Sequence, residues 1–588
     1  PGPRGNIEDR NGNVLVNNRA RFSVRLLLDQ LRPELRREQI RIRNNFRALD
    51  DKDIPTSTQL LKLARVSVVQ RYLDQVNAIL GRFDKVPADD LNKHFQRELL
   101  LPYTLIDDLE PAEYARLLER LPVNSPAQLY TLSTRHYPYR SAASHTLGYV
   151  GTTDHIDLED FPGDDLRTFK MKNTMGRDGV EKKFDAVLQG EAGGAIFRVD
   201  PSGNRINPPI QQVFPKQGKT LQLSLDIDLQ IAAEKRMAEN GMAGAAVALD
   251  VATGEVLVLA SKPDYDLGDF VPRLSTRTFA DINARGAWYK RAIQGAYPPG
   301  SSFKILTTIA GLRSGKLTPS SMSNCPGAYY LGRTKFDCHD GHAHGDINLS
   351  RAIEKSCNVF FYRYGYEMGA DAMAVEARRF HLDRPTQIDL LDETRRMVIP
   401  DEDWKRKNMQ QRWVGGDTVQ MAIGQGAVLV TPLQMACFIA SVARNEVWTQ
   451  PTIIHDPDRP RQQTEPIGLT PAQRDTLIRS MEQVTLTGTA RILTEGRLLP
   501  RIPGLRIGAK TGTAQAQSVK GIINFAWFIG FAPVENPQIA IAIAIEGDTP
   551  GEETGGGLYA APVAHAILKT WMEKKNAPPR QSLRFKAE

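Results

Sequence analysis

Nowhere in the 588 residues is there an uninterrupted apolar run long enough to read as a membrane span. The nearest candidate, Met421 to Ala443, is broken by Gly424, Gln425, Gly426, Pro432 and Gln434 and reads as a core segment with a turn. No cluster of lysine and arginine is interleaved with aromatics, so the net charge of +7 gives no reason to expect nucleic acid. A diffuse positive charge suits a protein beside anionic membrane or wall material. There is no phosphate loop either. Gly218-Lys219-Thr220 imitates the end of one, but the glycine required five residues before Gly218 is Val213. Cysteines are few, four in all, and three of them share one short segment. Hydrophobic residues make up 41% and charged residues 24%, as in soluble globular proteins, and the length implies two to four domains. The chain opens at Pro1 without a methionine, so an N-terminal anchor or signal is expected ahead of it.

What is present centres on Tyr297-Pro298-Pro299-Gly300-Ser301-Ser302-Phe303-Lys304. The Pro-Pro-Gly turn stops the preceding element, and Phe303 to Leu312 is helix-compatible. Ser301 is thus expected at the first helical turn, with Lys304 one turn on along the same face. A serine hydroxyl needs a base within reach, and a lysine kept neutral by burial and nearby positive charge can be one. The helix start also offers backbone N–H groups where negative charge develops in acyl transfer. In isolation, an N-capping serine and a surface lysine would be the better reading. Two further stretches overturn it. Ser356-Cys357-Asn358 follows 55 residues downstream in a helical pattern, and Lys510-Thr511-Gly512-Thr513 follows 154 residues beyond that in a strand pattern.

Those three motifs, in this order, resemble the signature of penicillin-binding proteins and class A β-lactamases. Further stretches narrow the likeness to class B penicillin-binding proteins. Arg4 to Leu15 reads as a strand, an Asn-Gly turn and a second strand, and is similar to the start of that family's extracytoplasmic part. Tyr137-Pro138-Tyr139 through Gly151, Gly176 to Glu181 and Leu188-Gln189-Gly190 also resemble its N-terminal region. The rest of that region reads as a packing module, with Ser57 to Leu121 mostly helical and an apolar stripe of Leu60, Leu61, Leu63, Val66 and Val69. His145 has no Ser/Asp partner nearby and reads as structural, and Ser202-Gly203-Asn204, which mimics the second motif, reads as a hairpin turn.

Composition shifts to Pro, Gln and Lys between Pro208 and Gln217. Residues 1–215 are therefore expected to form an elongated α+β pedestal with a helical insert, 216–576 the transpeptidase domain and 577–588 a tail. In the second region, Thr220 to Asp226 reads as a strand, Leu229 to Asn240 as a helix, and Ala245 to Asp250 with Glu255 to Ser261 as a hairpin. A mostly helical middle runs from Leu349 to Thr487. Strands follow at Ile507–Ala514, Phe525–Ala532 and Ile539–Glu546, and a helix at Ala561–Lys574. Strands at both ends with helices between give an α+β fold, one antiparallel sheet flanked by helices. That agrees with the family's penicillin-binding/serine β-lactamase-like fold.

The resemblance also implies roles. Ser301 would be acylated and Lys304 would take its proton. Ser356 would relay that proton to the leaving amine, and Asn358 would hold Lys304 and the substrate amide. Lys510 would keep the cleft positive, Thr511 and Thr513 of the Lys510-Thr511-Gly512-Thr513 strand would bind a carboxylate, and the N–H groups of Ser301 and Thr513 would form an oxyanion hole. The implied reaction is D,D-transpeptidation of peptidoglycan stem peptides on lipid-linked glycan strands, with loss of D-alanine and a D,D-carboxypeptidase side activity. β-Lactams would acylate Ser301. The implied setting is cell-wall elongation at the inner membrane, single-pass through an N-terminal anchor absent from this chain, with the catalytic domain periplasmic. A SEDS-family glycosyltransferase and other elongation proteins would be partners. The alternatives are a division-type enzyme of the same class, a β-lactamase and a β-lactam sensor. A β-lactamase would not need the long preceding region and would need a water-activating group, which the spacing does not identify; slow β-lactam release would separate a transpeptidase or sensor from it.

Cys325, Cys338 and Cys357 share a segment with His339, His342, His344, Asp337 and Asp340. A tetrahedral zinc site and a Cys325–Cys338 disulfide both fit these residues. Some elongation-type relatives look similar in carrying zinc here, and the match points to Cys325, Cys338, His344 and Cys357 as ligands of a structural Zn2+. Cys437 reads as core.

Overall fold

The computed structural model describes residues 2–577 except 49–53, 123, 154–172, 202–205, 207, 240, 242, 492–500, 519–520, 548 and 550–554. The Ser202-Gly203-Asn204 turn, and the C-terminal tail from residue 578, lie outside the described residues.

The N-terminal hairpin forms as its sequence requires. Asp9 Oδ1 accepts from the backbone N–H groups of Asn11 and Asn13, both at 2.8 Å, and Gly12 supplies the turn's positive φ of 81°. Ile7 then pairs with Val16 and Glu8 with Val14. The second strand, Val14–Leu26, runs on as the spine of the N-terminal sheet, flanked by Tyr103–Leu109 and Ala127–His136.

The expected helical insert is only partly helical. Ser57–Leu80, Ala88–Arg97 and Pro111–Arg120 are helices, but Tyr103–Leu109 between them is a strand. Pairing with Phe22–Leu26 and burial of Tyr103, Ile106 and Leu109 override the local pattern. The buried stripe also differs from the one expected. Leu60 and Val69 are buried as expected, whereas Leu63 is 46% exposed; the inward face is Leu60, Ala64, Val68, Val69, Leu73, Val76 and Leu80. Thr56 caps this helix in a capping box, and Gly81 ends it in the left-handed conformation.

The second sheet has the strand order Val256–Lys262, Gly244–Asp250, Ile539–Glu546, Gly521–Ala532, Gly508–Ser518, antiparallel throughout. Its middle strand is Ile-Ala-Ile-Ala-Ile-Ala-Ile-Glu, buried except at Glu546. The alternation presents a row of isoleucines on one face and a row of alanines on the other. Helices pack on both faces. Pro432–Arg444, buried along its whole length, packs against this strand, and Ile227–Glu239 and Ala561–Asn576 pack together as a pair. Lys574 clamps that pair to the preceding turn through Asp226 at 2.6 Å and Asp228 at 2.7 Å. Fully burying each isoleucine is worth about 2–3 kcal/mol, so this sheet carries the main core. The expected hairpin, C-terminal strands and closing helix are all present, and Met421–Ala443 is a core segment with a turn. The expected strand at Thr220–Asp226 is confined to Leu221–Gln222.

Among the described residues two apolar clusters result. One, around Val24, Leu26, Val69 and Leu91, holds the N-terminal helices to their sheet. The other contains the second sheet and also Ile7, Leu15, Val16, Tyr137 and Leu147. Leu221–Gln222 joins the first sheet by pairing in parallel with Ile7–Glu8.

Candidate active site and metal cluster

Ser301 sits in a 3-10 turn, Gly300–Phe303, that leads into the helix Lys304–Arg313, so it lies one turn before the regular helix and not inside it. Gly300 has φ of 53°, and a Cβ there would stand 2.5 Å from Thr513 O. Only glycine lets the turn approach the strand this closely. The strand answers with Gly512, whose Cβ would meet Ser302 N at 2.9 Å and Pro299 O at 3.0 Å. Register sets the facing, since Lys510 pairs with Ile529 and Gly512 with Trp527. The Trp527 indole N–H donates to Pro298 O at 2.9 Å and ties the sheet to the Pro-Pro-Gly turn.

Lys304 is fully buried. Its Nζ lies 2.7 Å from Ser356 O, 2.6 Å from Asn358 Oδ1 and 3.2 Å from Ser356 Oγ. Lys510, also fully buried, lies 2.9 Å from the same Ser356 Oγ and 2.9 Å from Thr511 O. One hydroxyl thus bridges two amines. Burial pushes the Lys304 amine down to about 7, against the opposing pull of the neighbouring cysteines. Lys510 is lowered well below the usual lysine range by burial and by the charge of Lys304. Burial disfavours the charged form of both amines. Phe361 lies under Lys304, its ring centroid 5.4 Å from Nζ.

The second motif is not inside a helix. It joins Leu349–Glu354 to Asn358–Met368, and Ser356 adopts φ of 56°. Left-handed backbone costs a serine about 1 kcal/mol, and here it lets both Ser356 O and Ser356 Oγ reach Lys304. Thr511 is buried with its hydroxyl against Thr489 Oγ1, while Thr513 is partly open. Thr489 and Trp527 were not singled out from the sequence. Nothing local marks Thr489, because its contact with Thr511 spans 22 residues. Trp527 sits in an apolar strand, where an aromatic reads as core.

Cys325, Cys338, His344 and Cys357 converge beside this site, their ligand atoms all within 4.8 Å of one another. Cys325 Sγ–Cys338 Sγ is 3.7 Å, Cys338 Sγ–Cys357 Sγ 3.8 Å, and His344 Nδ1 lies 3.5 Å from both Cys325 Sγ and Cys338 Sγ. A tetrahedron with Zn–S of about 2.3 Å has S···S edges of about 3.8 Å, so the donor set fits that ion. All four cysteines are free thiols here. The Cys338 thiol is held down by a hydrogen bond from Cys357 and by backbone N–H groups of Val359 and Asn358, whereas Cys357 is pushed up by that neighbour. The segment between the cysteines is not an irregular loop. Met322–Cys325 pairs with Gly345–Asn348, and Ala328–Leu331 with Thr334–Asp337. Tyr329 and Phe336 pack on Tyr362 of the next helix. Cys437 is buried in the core. His145 is structural, its Nε2 2.6 Å from Ala287 O and its ring against Tyr265.

Residues 244–569 match the penicillin binding protein transpeptidase domain, and residues 1–223 match the penicillin-binding protein dimerisation domain. The chain belongs to this family of transpeptidases, with the two-part α+β fold expected. Among curated proteins it is 29% identical over 555 residues to the peptidoglycan D,D-transpeptidase MrdA of Acinetobacter baumannii, covering 89% of this chain and 79% of that one. Among solved structures it resembles the penicillin-binding protein PBP2 of Helicobacter pylori in complex with MreC, with a TM-score of 0.75, 27% identity and 98% of each chain covered. It is also similar to Pseudomonas aeruginosa PBP2 in complex with WCK 5153, with a TM-score of 0.60, 31% identity, and 74% of this chain and 91% of that one covered.

Proposed function

We propose that this chain is a peptidoglycan D,D-transpeptidase of cell-wall elongation, working through an acyl-enzyme on Ser301. The observation that carries the reading is the placement of Ser356 Oγ between Lys304 Nζ at 3.2 Å and Lys510 Nζ at 2.9 Å, with Lys304 three residues after Ser301. Ser301 Oγ attacks the carbonyl of the penultimate D-alanine, and its proton passes to the neutral Lys304 amine. N–H groups of Ser301 and Thr513 hold the oxyanion, each such donor being worth about 3–4 kcal/mol. Collapse breaks the peptide bond, and Ser356 relays the proton to the departing D-alanine nitrogen. The amine of a second stem peptide then attacks the ester, forms the cross-link and frees Ser301; water in its place gives carboxypeptidase activity. Thr511 and Thr513 bind the terminal carboxylate in the field of Lys510.

Cys325, Cys338, His344 and Cys357 would hold Zn2+, which supplies structural cross-linking and, with four protein ligands, no open position for chemistry. Residues 1–215 form the pedestal, 216–576 the catalytic domain and 577–588 a tail. The MrdA and PBP2 relatives support an elongation role over a division role. By the same likeness, MreC and a SEDS-family glycosyltransferase are partners, and the catalytic domain is periplasmic on an N-terminal membrane anchor. Among the described residues no helix is long and apolar enough to cross a membrane. The test is labelling by fluorescent penicillin with peptide mapping, followed by cross-linking of lipid-linked glycan. Wild type should label at Ser301 and cross-link, and Ser301→Ala should do neither; an equally labelled mutant refutes the assignment.

A further inference from the structure

The N-terminal region contains a cleft of about 980 Å³, remote in sequence from every catalytic motif. Its walls come from the exposed side of Val14–Leu26 and Ala127–His136, the opening residues Gly2 to Asn6, and the stretch from His94 to Thr104. Among the described residues, four arginines line it, Arg4, Arg19, Arg25 and Arg135, against one acid, Glu98. Glu98 is already faced by His94 Nδ1 at 3.2 Å. Arg4 is committed to Glu181 and Asp185, at 2.7 Å each.

The Arg135 side chain is 1% exposed, with Nε on Glu181 at 2.6 Å and Nη1 on Gly5 O at 2.8 Å. Its Nη2 is buried with no hydrogen-bond partner among the described residues, and so is the Nε of Arg25. The Arg135 nitrogen has no open surface, so Arg135, like Arg4, braces the wall against Glu181. Arg19, which is exposed, and Arg25, which is half-buried, line the cleft without a carboxylate partner among the described residues, and a guanidinium edge suits a carboxylate. Thr131 and Ser133, exposed at alternate positions of one strand, add hydroxyls to the same wall, and Asn17 and Asn18 add amides. A protein partner would need an apolar anchor. None of the exposed large apolar side chains of residues 2–215, such as Ile40, Leu63, Phe83 and Leu118, lines the cleft, and Val213 and Phe214 stop just short of its lining residue Pro215. Guanidinium, amide and hydroxyl groups together suit a hydrated ligand bearing carboxylate, acetamide and hydroxyl groups.

We propose that this cleft is a second, non-catalytic site for uncross-linked glycan–peptide, held through its carboxylates by Arg19 and Arg25. The proposal rests on the transpeptidase reading, because it takes its ligand from the same substrate class. Binding here would keep a strand at the enzyme while its stem peptide reaches Ser301.

The test uses the full chain with Ser301 first acylated by penicillin, so that the catalytic cleft is closed. A soluble disaccharide–pentapeptide is titrated by calorimetry and two-dimensional NMR. Submillimolar binding that survives acylation is expected. It should weaken at least tenfold in Arg25→Gln, in the cleft-filling Ser133→Tyr, and with a probe whose carboxylates are amidated. Circular dichroism establishes that the variants are folded. Three outcomes overturn the proposal: no binding at millimolar probe, binding lost on acylation, or binding indifferent to both variants. Tighter binding of a sugar-free acidic peptide than of the glycopeptide also overturns it and makes the cleft a protein site. Failure of penicillin to acylate Ser301 would instead sink the transpeptidase reading.

Discussion

Trp527 and Pro298 are joined by an indole N–H to carbonyl hydrogen bond of 2.9 Å that crosses from the central sheet to the turn before the nucleophile. The ring is fully buried and lies near Tyr297, with 6.4 Å between ring centroids. Trp527→Phe keeps most of the apolar bulk but leaves the Pro298 carbonyl without this donor. The expected cost is about 1–3 kcal/mol in urea denaturation, with a severalfold slower penicillin acylation. Loss of stability at an unchanged acylation rate would mean that the bond braces the core without positioning Ser301.

Lys304 and Lys510 should separate by chemistry and by pH. In the proposed mechanism the neutral amine of Lys304 is the working form, and burial lowers its ionisation to about 7. Acylation should therefore fall as pH drops below about 7 and level off above it. Lys304→Arg should nearly abolish acylation, because guanidinium stays protonated. Lys510→Arg retains the charge and should lose less. Equal losses in both, or a flat profile from pH 5 to 8, would leave charge alone as the contribution of Lys304.

That Ser356, Asn358 and Lys510 come together around Lys304 was legible because these residues lie in short motifs whose spacing survives in sequence. The central strands were legible too, since Ile539–Glu546 alternates too regularly to be anything else. Three features were not. Tyr103–Leu109 sits among helices and is a strand because Phe22–Leu26 pairs with it, a partner some 80 residues away. Ser356 takes a left-handed turn that its side chain does not favour, imposed by the helices on either side. The orphaned nitrogen of Arg135 arises from three segments meeting, which no local pattern encodes.

The cysteine cluster should bind one zinc per chain, measured by elemental analysis. Cys338→Ser and His344→Ala should lose the metal and melt several degrees lower. Cys338 receives N–H groups of Asn358 and Val359 at the start of the helix carrying the second motif, so both variants should also acylate more slowly. His339→Ala and His342→Ala should stay close to wild type. Metal retained in His344→Ala but lost in either of these would reassign the ligand, and a metal-free chain with a Cys325–Cys338 disulfide would end the zinc reading.

His145 gives a stability prediction with a definite sign. Burial lowers its imidazole to about 4, partly offset by the Ala287 carbonyl. A depressed folded-state value means that its contribution is complete above the unfolded value near 6.5 and is lost as pH falls toward about 4, up to about 3 kcal/mol in all. His145→Gln should flatten the stability profile in that window. Glu234 acts with the opposite sign. Burial raises it to about 7, so its contribution is complete below about 4.5 and is lost as pH rises through about 7. A stability profile of His145→Gln parallel to wild type between pH 6.5 and 4 would assign acid destabilisation to other groups.

The strand Ile7–Glu8 lies between Val14–Val16 and the parallel Leu221–Gln222, and Ile7 belongs to the same apolar cluster as the sheet that carries Lys510. Beyond Gln222, Leu223 bridges to Ile454 and Ser224 bonds to the Thr452 and Val256 carbonyls. Mechanically, the start of the chain is a lever and not a slack tether. Tension applied at Arg4 loads a parallel ladder in shear, so its hydrogen bonds must yield together and cannot unzip singly. Force applied at Arg4 is thereby passed through the Ile7–Leu221 and Glu8–Gln222 pairs toward the sheet that carries Lys510.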